Sequence, residues 1–148
     1  MTTTTHQRSM HIDAPVEKVF QHVSDPENYF AAMREADPNM SGQITKKPSE
    51  LGVDSTYEWS GRLLFVPIHA VVTRTQYVPN QRIVDHQSSG DVTMTHTTQP
   101  DGTGTKLTMR SDVSSKVPFL DKVEDRMTWK GDEDLDKILA AYKKAIET

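Results

Sequence analysis

The chain contains no cysteine, which excludes disulfides, thiolate metal sites and a cysteine nucleophile together. It has no apolar run near the ~20 residues a membrane-spanning helix needs, and its start, MTTTTHQRSM, has no apolar segment of signal-peptide type. A soluble, cytoplasmic protein is expected, in which the sequon Asn39-Met40-Ser41 is idle. Long blocks of one charge are missing as well. Lys plus Arg number 17 against 21 Asp plus Glu, and the net charge of −4 argues against nucleic acid as the main partner. Among six histidines no pair sits at metal-ligand spacing on one helix or strand, so neither a metal nor another cofactor is expected. No GxSxG marks an esterase-type serine. In Gly102-Thr103-Gly104-Thr105-Lys106 the lysine is misplaced for a phosphate loop and no helix follows, which leaves a hairpin turn.

What is present is organised as one domain over residues 1–148, long enough to bury roughly 70% of the surface its unfolded form exposes. Residues 1–6 are polar and unpatterned and read as a loose terminus, followed by an opening strand at about Arg8 to Ile12. Pro15 suits a first helical turn, and Val16, Val19, Phe20 and Val23 recur with helical spacing. Ser24 and Asp25 offer capping oxygens, Pro26 and Glu27 suit the next first turn, and a second short helix carries Tyr29, Phe30 and Met33. Short β-rich runs then fill about 43–48, 55–65, 68–78, 81–88, 91–98 and 104–114, separated by turn residues. With the opening strand they make seven. Met94, His96 and Thr98 share one face with Val92, as Leu107, Met109 and Ser111 do with Val113, and these faces are expected to point inward. The two faces of 68–78 are too alike to assign. Beyond Pro118 a helical stripe of Leu120, Glu124, Met127, Leu135, Ile138, Tyr142 and Ile146 runs to the C-terminus, centred on Gly131. Glycine there implies a kink or a need for space. Either the helix breaks near Gly131 and Asp132 and Trp129 turns inward, or Trp129 is exposed to a partner.

Residues 14–20 (APVEKVF), 24–28 (SDPEN), the Gly52 turn before Tyr57 and Trp59, residues 77–80 (YVPN) with Arg82-Ile83, residues 104–108 (GTKLT) and the final helix follow in an order that resembles the polyketide cyclase/dehydrase-like members of the START-related SRPBCC superfamily, which also holds the birch-pollen-allergen-type proteins. The resemblance implies an α+β helix-grip fold. In it a curved seven-stranded antiparallel sheet surrounds a long C-terminal helix, two short helices follow the first strand, and a cavity lies between sheet and helix. It implies a ligand more firmly than a reaction, because such scaffolds host many functions.

A small, largely apolar molecule of lipid, polyketide or aromatic type is therefore the expected partner of a monomer or homodimer. Phe30, Met33, Tyr57, Trp59, Arg74, Met94, His96, Met109, Phe119, Met127, Gly131 and Leu135 are the candidates for touching it. An inward Arg74 would give an acidic ligand a bidentate anchor. The enzyme alternative is a cyclase or dehydratase in which His96 or Glu124 transfers protons, with Glu58 able to meet Glu124 across the cavity. A third reading is a protein-interaction module using an exposed Trp129. Asp85-His86 are neighbours on opposite faces of a strand and cannot form a dyad with each other.

Overall fold

A computed structural model describes residues 2–38, 40–63, 66–115 and 131–148. The elements run β1 (Thr2–Ile12), α1 (Val16–Ser24), α2 (Pro26–Ala36), β2 (Met40–Lys46), β3 (Thr56–Leu63), β4 (Val66–Val78), β5 (Arg82–Gln87), β6 (Val92–Asp101), β7 (Gly104–Ser115) and α3 (Asp132–Glu147). The seven strands form one antiparallel sheet in the order β1-β7-β6-β5-β4-β3-β2, with α3 packed on β1, β7 and the two short helices. This is the helix-grip architecture.

Local chemistry sets the helix starts. Pro15 stands just outside α1 in extended conformation, and Val19, Phe20 and Val23 bury the apolar stripe. Asp25 caps α2, its carboxylate accepting from the Glu27 N–H at 3.0 Å, with Pro26 at the first helical position where no N–H is needed. The Ser24 hydroxyl donates back to the Gln21 carbonyl instead of capping.

The structure revises the reading of the N-terminus, decides between the alternatives at Gly131 in favour of a break, and resolves the open register of β4. Residues 2–6 are not loose: they are the first half of β1, paired with β7 from Thr2↔Ser115 to His6↔Ser111. Side chains of the strand are tied to α3 as well, since His6 Nδ1 meets Asp132 at 3.2 Å and Arg8 donates to Asp136 at 2.9 Å. Gly131 is not inside a helix. It precedes the first turn of α3 with φ 60° and ψ −104°, a conformation that disfavours a side chain, and a Cβ there would collide with the His6 ring. Phe119, Leu120, Glu124, Met127 and Trp129 lie outside the described residues. In β4 the register resolves around a bulge between Arg74 and Gln76: Ala70, Val72 and Arg74 point inward, while Val71 is 39% exposed.

The core fills the space between the concave face of the sheet and the helices. Met94, His96 and Thr98 of β6 and Leu107, Met109 and Ser111 of β7 are buried as the alternation requires. Opposite them lie Phe30 and Met33 of α2 and Leu135, Ile138, Leu139 and Tyr142 of α3.

Candidate functional site

The centre of this core is polar. His96 Nε2 lies 3.2 Å from the Tyr142 hydroxyl, and the Tyr29 and Tyr142 rings meet the imidazole edge-on at centroid distances of 5.7 and 5.8 Å. Beside them Arg74, only 1% exposed, grips Asp85 through Nε at 2.8 Å and Nη2 at 3.1 Å. Its remaining donors reach the Ser24 carbonyl at 3.1 Å and the Leu51 carbonyl at 3.2 Å. Arg74 is thus inward as its candidacy requires, but its fork already holds a carboxylate. Glu58 lies on the outer face of β3, opposite in direction to the buried Tyr57 and Trp59, so it does not face the interior.

The electrostatics follow from burial. Desolvation, and secondarily the Arg74 charge, push His96 down to about 3, so its imidazole is neutral at ordinary pH. Desolvation, with Asp85 adding to it, pushes the phenols of Tyr29, Tyr57 and Tyr142 above their usual range. Arg74 and Asp85 offset each other's charge. The cluster therefore offers neutral hydroxyl and imidazole hydrogen bonds, the complement of a hydroxyl or carbonyl group on an otherwise apolar guest. Among the described residues no buried side-chain nitrogen or oxygen lacks a hydrogen-bond partner, and no group of three or more His, Asp or Glu side chains is arranged to hold a metal ion.

An open groove lies elsewhere. It has a volume of about 890 Å³ and runs between Glu27 and Arg34 of α2 and the ends of β2, β3 and β4, with Gly42, Ile44, Gly61 and Ile68 among its lining. Of the described residues named as ligand contacts from the sequence, none lines it. Its connection with them is through one aromatic layer: a Cβ on Gly42 would lie 3.2 Å from the Phe30 ring, and Phe30 meets Trp59 at a tilt, 5.1 Å between centroids, and Tyr29 edge-on at 5.5 Å. Tyr29 in turn touches His96. The rings thus run from the groove floor to the polar centre. Met94 and Met109 are buried beside His96 on β6 and β7, and Leu135 is buried on α3. Sequence reasoning missed the Arg74–Asp85 pair; the alternation of Ile83 and Asp85 on one strand, facing an arginine on a strand of unassigned register, was its available signal.

The chain belongs to the family described as polyketide cyclase / dehydrase and lipid transport, which it matches over residues 3–147. Solved structures share the fold at low identity. Protein CV1439 from Chromobacterium violaceum is 16% identical with a TM-score of 0.68, covering 98% of this chain and 99% of its own. TTHA0849 from Thermus thermophilus is 13% identical with a TM-score of 0.67 and covers 97% of both chains. Ara h 8.0201 is 13% identical with a TM-score of 0.65 and covers 98% of both. No curated protein matches the sequence. Among the described residues no helix is long and apolar enough to cross a membrane.

Proposed function

We propose that this protein binds a small, largely apolar molecule between the concave face of the sheet and the helices, admitted at the groove between α2 and β2–β4. The observation that carries this reading is the ring sequence Phe30, Tyr29, His96, Tyr142 joining the groove floor to a neutral hydrogen-bonding centre. The groove has the size of a small-molecule site, roughly 300–1,000 Å³, and Phe30 with Trp59 is the layer a guest would displace. Its apolar body would take the place of these rings, and its polar end would meet Tyr142 and His96.

Binding is favoured over proton transfer at His96 for a physical reason. A general base works best with a pKa near the operating pH, and an imidazole held at about 3 is too weak a base for that role. Native mass spectrometry and thermal-shift measurements against fatty acids, aromatic polyketides and flat aromatics test the reading. A retained ligand and a raised Tm are expected, and Ile68→Asp, which charges the groove floor, should weaken binding about tenfold or more. Ligand binding undiminished in that variant, or no binding from any of the three classes, overturns it.

A further inference from the structure

On the outer face of β3 and β4, turned away from the buried cluster, three side chains stand in one hydrogen-bonded row. Ser60 Oγ lies 2.8 Å from His69 Nδ1, and His69 Nε2 lies 3.1 Å from Glu58 Oε1. Strand pairing produces the row: Ser60 and His69 are direct cross-strand partners, and Glu58, two residues before Ser60, shares its face. The proton positions follow from the partners. An ionised carboxylate only accepts, so Nε2 carries the hydrogen and donates to Glu58; Nδ1 is then an acceptor, and the Ser60 hydroxyl donates to it. A serine hydroxyl on an imidazole whose other nitrogen is fixed by a carboxylate has the order of nucleophile, base and orienter.

Acyl transfer also needs hydrogen-bond donors for the developing oxyanion, and two side chains that carry such donors share this face. Gln43 is the cross-strand partner of Ser60 on its other side, and Arg62 follows Ser60 by two residues on the same face. Both are exposed, and both line the same groove as Ser60 and His69. We propose that Ser60 and His69, positioned by Glu58, form a hydrolytic site for carboxylic esters with short acyl groups, with Gln43 and Arg62 donating to the oxyanion. The short acyl group follows from exposure, because the His69 side chain is 57% exposed and nothing in the row encloses a long chain.

The steps balance without a co-reactant other than water. Ser60 Oγ bonds to the ester carbonyl carbon while its proton passes to His69 Nδ1; the tetrahedral intermediate collapses, and the departing alkoxide takes that proton, leaving acyl-Ser60. Water then attacks the acyl carbon and gives a proton to His69, which returns it to Ser60 Oγ as the carboxylic acid leaves. The net change is ester plus water to acid plus alcohol.

The test uses the full chain and p-nitrophenyl acetate, following nitrophenol release together with the site of acetylation by peptide mass spectrometry. The acetyl group is expected on Ser60, and Ser60→Ala should remove it and slow release about 100-fold, the low end of what a positioned general base contributes. His69→Gln should do the same. Glu58→Gln should lower kcat with KM unchanged, and Glu58→Asp should restore part of the loss. All three positions are on the surface, so unchanged circular dichroism and Tm accompany these losses. Acetylation confined to lysine side chains, or release by folded Ser60→Ala at the parent rate, overturns the proposal.

Discussion

Arg74 makes four hydrogen bonds from a nearly dry position, two to Asp85 and two to the carbonyls of Ser24 and Leu51, and thereby ties β4 to β5, to the end of α1 and to the loop before β3. Removing one member of such a pair strands a charge. Asp85→Asn should therefore destabilise the fold by about 3–5 kcal/mol in urea titration, whereas Arg74→Met with Asp85→Leu should recover much of the loss, because two apolar groups leave nothing unpaired. His96 sets a pH dependence. Its folded pKa of about 3 lies below the ordinary value of 6.5, so between these limits the unfolded chain takes up a proton that the folded protein refuses. Stability is undiminished by this group above about pH 6.5 and falls by up to about 1.4 kcal/mol per pH unit below it, levelling near pH 3. Denaturant titrations from pH 7 to 4 should show this slope, and His96→Gln should flatten it.

At the scale of elements, the start of α3 depends on a residue with no side chain. Gly131→Ala meets both an unfavourable φ and the His6 ring, and should cost about 1–2 kcal/mol or more in thermal unfolding. His6→Ala in the same chain should relieve only the contact. The sequence shows a glycine at the middle of an apolar stripe, but periodicity alone cannot tell a helix interior from a helix start. The same limit governed β4. Its two faces carry comparable side chains, and the bulge between Arg74 and Gln76 changes the alternation part-way, so no single two-residue period describes it. Where the alternation is unbroken, as in β6 and β7, composition was enough: Met94, His96, Thr98, Leu107, Met109 and Ser111 are all buried. The caps were legible for a local reason, since Asp25 and Pro26 act on their own neighbours. The interior cluster was legible only in part. His96 shows its direction by alternation, but its contacts with Tyr29 and Tyr142, and that of Arg74 with Asp85, are set by which strands and helices meet across the core. Likewise Ser60 and His69 are brought opposite each other by the hairpin register, a property of no single strand.

At the scale of the whole molecule, the described residues form a neutral polar centre inside the sheet and a groove at the end of α2, whose lining includes Ser60 and His69 of the hydrogen-bonded row on β3 and β4. A ligand that binds only the folded form at 100 times its Kd should add about 2.7 kcal/mol to the unfolding free energy, measurable as a rise in urea midpoint with unchanged slope. The sheet order carries a further consequence. β1 and β2 follow one another in the chain yet occupy opposite edges, and β1 closes the sheet on β7 with pairs such as Thr4↔Val113 and Met10↔Leu107. A chain emerging from the ribosome thus holds its first strand without a partner until almost the whole sheet has been made. Such distant pairing slows folding, and the Thr-rich segment of β1 is the part left waiting, open to pairing with a second nascent copy before its own last strand arrives.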